Sequence, residues 1–226
     1  MNQNIMRNLR KTISTGAFLA TSFAATMAAA TMLVPPAAGL PILSEVYYDA
    51  PGSDDGQTFV EIAGEPGDSL DGFRLEGVNG NNGAIGPSII LSGTIGDDGL
   101  FVIADRTAAG TTSVANADLL ANFDFQNGPD SVVLRSGEEI VDALGYGVFG
   151  VGEIFAGEGS AAEDVAAGSS LARVWANIDS DDNATDFMVS GSPSPGAAAF
   201  AVIPEPGSAL LLGLGLLGLT AAGRAG

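Results

Sequence analysis

A chain of 226 residues with 27 acidic and 8 basic side chains carries a net charge of −19, and residues 40–203 hold only four Arg alongside every acidic residue except Glu205. Such a surface repels phosphate backbones, because nucleic-acid affinity rests on Lys and Arg displacing counterions. The chain has no Cys and no His, which removes disulfides, thiolate catalysis, sulfur-ligated metals, the commonest general base and the commonest zinc ligand together.

Residues 1–39 place Arg7, Arg10 and Lys11 ahead of an Ala-rich apolar run and then small residues, the order of a secretory signal peptide. Cleavage is expected after Ala30 or near Ala38. An uncleaved membrane anchor is the alternative that a run of roughly 20 residues permits. Either way the following domain leaves the cytoplasm.

From residue 41 short β-rich runs alternate with Gly, Asp, Asn and Pro, and strands are predicted at 42–48, 58–62, 72–75, 88–91, 99–104, 131–135, 139–144 and 170–175. Turn signals separate them, among them Gly52-Ser53-Asp54-Asp55-Gly56, Asn79-Gly80-Asn81-Asn82-Gly83, Gly96-Asp97-Asp98-Gly99 and Gly128-Pro129-Asp130. In the second run Val60 and Ile62 share one face and Phe59 and Glu61 the other. Leu70, Phe73 and Leu75 supply the return, so 58–75 reads as a paired strand unit. Short strands at this spacing, with no long helical period, predict an all-β chain folded as an antiparallel β-sandwich. The connections 107–120 and 146–168 are long and rich in small residues; they are expected to be surface excursions, with 160–167 offering a helical turn or two.

The order of several segments carries a family resemblance. These are Ile42-Leu43-Ser44-Glu45-Val46-Tyr47-Tyr48-Asp49, Phe59-Val60-Glu61-Ile62, Leu70-Asp71-Gly72-Phe73-Arg74-Leu75 and Gly128-Pro129-Asp130-Ser131-Val132-Val133-Leu134. They continue with Val141-Asp142-Ala143-Leu144-Gly145-Tyr146, Gly168-Ser169-Ser170-Leu171-Ala172-Arg173 and Ser194-Pro195-Gly196-Ala197. In this order they resemble the lamin tail domain, and the resemblance spans about 40–197 of a domain placed at 40–199. It implies an immunoglobulin-like β-sandwich with a general binding or scaffolding role, and it carries over no catalytic residues. Gly72-Phe73 stands where the family usually has Gly-Trp, an aromatic exchange that a core tolerates. The DNA and chromatin association of nuclear members is not expected to transfer, because the charge opposes it.

The last segment, 200–226, places Pro204-Glu205-Pro206 ahead of an apolar run of about 15 residues, short for a membrane span, and then Arg224. The two prolines hold an extended, exposed backbone around Glu205, which suits entry into a protease cleft. This tail resembles the PEP-CTERM sorting signal of Gram-negative bacteria. The resemblance implies a C-terminal hydrophobic helix, recognition by an exosortase-type membrane protease and cutting near Pro204-Glu205-Pro206. It also implies transit through the inner membrane to the cell surface or the exopolysaccharide matrix. Pro204, Glu205, Pro206 and Arg224 are the sorting residues, although the usual tail ends in a basic cluster and here Arg224 stands alone.

Candidate chemistry is sparse. Asp179, Asp181, Asp182 and Asn183 form the densest run of oxygen ligands, and their alternation suits calcium; but Ala184 and Ser190 stand where an EF-hand needs Gly and Glu. A solvated acidic turn is the plainer reading of the run. Asp49, Asp54 and Asp55 make a second acidic loop. Glu45 and Glu61 offer the two carboxylates that glycoside hydrolysis needs, without a converging nucleophile or metal set. The Gly-rich stretch 145–152 lacks the helix and the Lys of a phosphate loop. Trp175, Tyr47, Tyr48 and Tyr146 are candidates to stack on sugars or to fill the core. Arg74, Arg106, Arg135 and Arg173 are expected to pair with neighbouring carboxylates. The expected function is therefore a non-catalytic scaffolding or adhesion module at the cell surface, with surface glycans as partners, no nucleic acid and no organic cofactor. The alternative is a calcium- or carbohydrate-binding module.

Overall fold

The computed structural model describes residues 39–202; the expected signal peptide and the residues Pro204, Glu205, Pro206 and Arg224 lie outside them. The strands are β1 (Ile42–Tyr47), β2 (Phe59–Ala63), β3 (Phe73–Asn79), β4 (Ile85–Ile90), β5 (Leu100–Asp105), β6 (Leu119–Ala121), β7 (Asp130–Ser136), β8 (Glu139–Tyr146), β9 (Ser170–Arg173) and β10 (Phe187–Ser190). One helical turn, α1 (Asn183–Asp186), precedes β10. The strands form a six-stranded sheet ordered β10-β9-β1-β2-β5-β6 and a four-stranded sheet ordered β4-β3-β7-β8. Val46, Val60, Ile62, Ile103 and Leu171 of the first meet Leu75, Val132, Leu134 and Leu144 of the second in one buried cluster. Two sheets enclosing one apolar layer are consistent with a β-sandwich.

All eight predicted strands are present, with ends shifted by a few residues. β6 and β10 are additions. β6 is three residues long and pairs parallel with β5, so the six-stranded sheet is not wholly antiparallel.

The paired unit expected over 58–75 does not form. β2 pairs with β1 and β5, whereas β3 pairs with β4 and β7 in the other sheet. The 64–72 connection is too long for a tight hairpin turn. It crosses between sheets, tied by a bridge from Ser69 to Thr94 and by the Leu70 N–H donating to the Gly93 carbonyl at 2.9 Å. Crossing lets Val60, Ile62, Leu70 and Leu75 face one another rather than lie side by side. A tight hairpin occurs instead at Gly137-Glu138, where Gly137 takes φ +60 and turns β7 into β8.

Every residue of β2 is buried, because both of its faces are covered. Val60 and Ile62 enter the shared core, while Ala63 packs with Leu100, Ala176 and Ala198 on the outer side. That outer cover is the 191–202 segment, which crosses back over the sheet after β10. The Ala176 N–H donates to the Ala199 carbonyl at 2.7 Å, and Asn177 bonds both N–H and carbonyl of Ala201.

The 146–168 connection is not a loose excursion, and 160–167 is not helical. Ala162 bridges Tyr146 in parallel, Ala162 and Val165 enter the core, and Ala156 packs on Val78, Val133 and Ala143 outside the four-stranded sheet. Small residues serve a layer that must lie close to a strand; at Gly157 a Cβ would stand 2.4 Å from Asn183 Oδ1 and from the Gly145 nitrogen. Among the described residues no helix is long and apolar enough to cross a membrane. Leu134 is fully buried between the sheets. Its replacement by Ala is expected to cost about 2–5 kcal/mol in denaturant unfolding, and a loss under about 1 kcal/mol would contradict a shared, tightly packed core.

Candidate functional site

Charge in the interior gathers around Arg173, whose side chain is fully enclosed although it sits on β9 of the six-stranded sheet. Its Nη2 donates to both carboxylate oxygens of Asp142, on β8 of the other sheet, at 3.1 and 3.0 Å. Nε donates to the Leu43 carbonyl at 2.8 Å, and Nη1 reaches Asp186 at 2.9 Å, Asp179 at 3.2 Å and the Ile178 carbonyl at 3.2 Å. The guanidinium also lies 4.5 Å from the Phe187 ring centre, a cation–π contact. Asp142 in turn accepts the Leu43 N–H, at the bulge where β1 leaves its ladder with β2. One side chain thus ties three strands and the 179–186 turn together.

Four carboxylates surround this one cation. Asp186 is held below the ordinary carboxylate range: burial opposes ionisation, but the Ser180 hydroxyl and N–H and then Arg173 outweigh it. Glu158, brought in by the 146–168 connection, is pushed up to about 8 by burial and by the nearby Asp142 and Asp179 charges. Its Oε2 is enclosed and has no hydrogen-bond partner. One oxygen each from Asp142, Glu158 and Asp179 lies within 4.8 Å of the others, the only such trio of metal-ligand atoms among the described residues. Arg173 already supplies the positive charge to Asp142 and Asp179.

The predicted calcium residues are near this centre but are engaged separately. Asp179 Oδ1 accepts from Arg173 and from the Asp181 N–H at 3.1 Å. Asp181 holds φ +54 at the turn, outside the trio. Asp182 caps α1, its Oδ1 accepting from Ala184 and from Ser160, each at 3.2 Å. Asn183 is fully buried: Oδ1 takes the N–H groups of Gly145 and Glu158 at 2.8 Å, and Nδ2 donates to the Ala143 carbonyl at 2.7 Å. It pins the 146–168 connection to β8. The second acidic loop is likewise committed in part, with Asp54 accepting the Ala50 N–H at 2.6 Å.

The structure does bring Glu45 and Glu61 together, as cross-strand partners on β1 and β2, but 2% and 0% exposed beneath the 191–202 segment. Ser44 donates to Glu61 at 2.8 Å, Ser170 and Ser194 donate to Glu45, and the Gly196 N–H reaches Glu61 at 2.7 Å. Burial pushes Glu61 up to about 7 against these donors, and the charges of Glu45 and Asp98 add to the rise.

Of the aromatic candidates, Tyr48 and Tyr146 stack at 4.4 Å inside the core, and Tyr47 lies against Phe59 at 5.8 Å. Trp175 is 46% exposed. Arg74 and Arg135 clamp Glu76 at 2.6 and 2.8 Å on the outer face of the four-stranded sheet. Among the described residues no ion pair involves Arg106. A cleft of about 500 Å³ that the sequence reading did not single out as a site is lined by Asn79, Asn81, Asp124, Gln126, Asp130 and Glu153. Its walls are braced by Asn79 donating to Gln126 and by the Tyr146 hydroxyl donating to the Gln126 carbonyl at 2.8 Å.

No protein-family model, curated protein or solved structure matches the chain.

Replacing Arg173 by Met leaves Asp142 and Asp186 buried without their cation, and is expected to destabilise the fold by about 3–5 kcal/mol in denaturant unfolding. Arg173→Lys is not expected to rescue it, since an ammonium cannot span Leu43, Asp142 and Asp186 at once. Glu158 gives a pH signature. A carboxyl raised in the folded state contributes stability that is complete below its unfolded range and is lost as pH rises through about 8. Glu158→Gln should therefore flatten the decline in melting temperature between mildly acidic and mildly alkaline pH; an unchanged slope would show that Glu158 carries no proton.

Proposed function

We propose that this chain is an exported, non-catalytic cell-surface or exopolysaccharide-matrix protein of a Gram-negative bacterium. In this reading residues 1–39 are a signal peptide, 40–199 a lamin-tail-like, immunoglobulin-like sandwich for scaffolding or adhesion, and 200–226 a sorting segment processed by an exosortase-type membrane protease. The observation that carries it is the seating of the 191–202 segment. Its last anchored residue, Ala201, is bonded to Asn177, and Pro204 follows three residues later in the sequence. The last anchored residue among those described thus lies three positions ahead of the sorting motif in the sequence.

Two further observations support it. The segments that carry the lamin-tail resemblance meet one another: Leu43, Asp142 and Arg173 around one ion pair, and Glu45, Glu61, Ser194 and Gly196 around the outer carboxylates. Those two carboxylates, which a hydrolase reading would recruit, are sealed and bonded to neutral donors rather than open to a substrate.

A second reading, a carbohydrate- or calcium-binding module, is favoured by the braced cleft. It is lined with amides and carboxylates and no basic side chain, a chemistry that suits sugar hydroxyls or a cation rather than an anion. The Asp179, Asp181, Asp182 and Asn183 turn belongs to the same alternative.

In an exosortase-bearing host, pulse-chase is expected to show loss of mass from the C-terminus and arrival of the domain outside the cell. Glu205→Ala should leave the precursor uncut while the domain folds normally. A wild-type tail that keeps its full mass in that host would remove the sorting reading. For the binding reading, a saturable signal on a glycan array or a rise in melting temperature with calcium would favour the module; the scaffold reading expects neither.

A further inference from the structure

Glu45 and Glu61 are two adjacent buried carboxylates for which no ion pair exists among the described residues. Their partners are neutral. Ser44 and Ser170 donate from the sheet below, and the Ser194 hydroxyl and the N–H groups of Ser194 and Gly196 donate from above. The segment from Phe187 to Val202 contains no ionisable side chain at all. It therefore covers two acids without bringing a charge of its own. The charged groups that face Glu61 are Glu45 from β1 and Asp98 from the turn before β5, both acidic, while β9 contributes only Ser170. Two anions in such a place repel each other, and a proton on one relieves the repulsion.

We infer that the 191–202 segment is a proton-controlled strap, closed over Glu45 and Glu61 while Glu61 is protonated and lifted when Glu61 is ionised, so that lifting exposes the chain ahead of Pro204 to the processing protease. The last part of this rests on the sorting reading above.

The direction follows from linkage. Closure buries Glu61 and lifts its carboxyl from 4.5 to about 7. The closed form thus holds a proton that the open form gives up. Closure is most favoured below about 4.5, and that advantage is lost as pH rises through about 7. The consequence for the tail is one of reach. With Ala201 anchored, covalent geometry keeps Pro204 within roughly 11 Å of it; a lifted 191–203 stretch supplies a tether on the order of 45 Å. Proteolysis concentrates where the backbone is free of hydrogen bonds and burial, so the lifted form is the better substrate.

The test is hydrogen exchange on the full chain in detergent micelles at about pH 5.5 and about pH 8.5, corrected for intrinsic exchange. The Ser194 and Gly196 amides are expected to lose protection about tenfold or more at the higher pH, the equivalent of one pKa unit or more. Glu61→Gln, neutral at both values, should stay protected at both. Equal protection of the native strap at the two values, or a response that persists in Glu61→Gln, overturns the strap. If the variant does not fold, carbon NMR of the native Glu61 carboxyl decides: a midpoint near 7 upholds the strap, and one in the ordinary carboxylate range overturns it. Membranes bearing the protease separate the two ideas. Faster cutting at the higher pH that is lost in Glu61→Gln supports both. Cutting that ignores pH and the variant overturns control by the strap, while a pH-responsive strap on a tail that is never cut overturns the sorting reading alone.

Discussion

The buried guanidinium of Arg173 is the constraint around which the domain closes. Its strand belongs to one sheet and its principal partner, Asp142, to the other, so the ion pair forms only in one relative placement of the two layers. Apolar contacts between Leu, Val and Ile side chains tolerate small slides; a fork that must meet Asp142, the Leu43 carbonyl and Asp186 together does not. Buried ion pairs add little net stability over well-packed apolar groups, because removing both charges from water is costly. What this one contributes is register, and it explains why the 179–186 turn and the 146–168 connection fold inward. Both bring carboxylates to Arg173, the fully enclosed cation among the described residues.

An acidic chain without Lys in its folded span has to bury anions by other means, and the structure uses three. Arg173 serves Asp142 and Asp186. Backbone N–H groups serve Asp105, which accepts from Gly56 at 2.6 Å and Phe123 at 3.0 Å, and Asp130, which accepts from Gly80 at 2.8 Å. Hydroxyls and the 191–202 backbone serve Glu45 and Glu61. The first two solutions tie loops to strands through a guanidinium or through backbone N–H groups. The third depends on a proton and on a segment that is half-buried and held mostly by single hydrogen bonds. The outer face of the six-stranded sheet is therefore the softer side of the molecule, and it carries the last of the described residues.

The two-sheet frame was legible because alternation and turn chemistry are local: Val60 and Ile62 against Phe59 and Glu61, or Gly137 at the β7–β8 turn, need no distant partner to be read. β6 and β10 escaped because three or four residues in small-residue-rich or acidic surroundings carry no measurable period. The expected pairing across 58–75 failed for a related reason: hydrophobic alternation says which face of a strand is buried, and nothing about which sheet the strand joins. The candidate site was harder. Asp179, Asp181, Asp182 and Asn183 stand out in the sequence by density alone, yet Asp179 answers to Arg173, and Asn183 to Ala143, Gly145 and Glu158, partners that no spacing reveals. Asp142 was visible only as a member of a resembling segment, Arg173 as one of four Arg expected to pair with carboxylates that the sequence did not name, and Glu45 and Glu61 only as a carboxylate pair without its cover.

The sealing of Arg173 also bears on how the fold meets proteases. Enzymes of the trypsin type cut after Lys or Arg, and residues 40–203 offer four Arg and no Lys. Arg173 is enclosed, and Arg74 and Arg135 lie on β3 and β7, each flanked by a strand on both sides. Only Arg106, just beyond β5, is outside the ladders. With amine, thiol and imidazole side chains all missing from the same span, the folded shell also presents few handles for electrophiles. Scarcity of cations, the trait that makes the interior difficult to build, leaves the described surface with few sites for enzymes of the trypsin type.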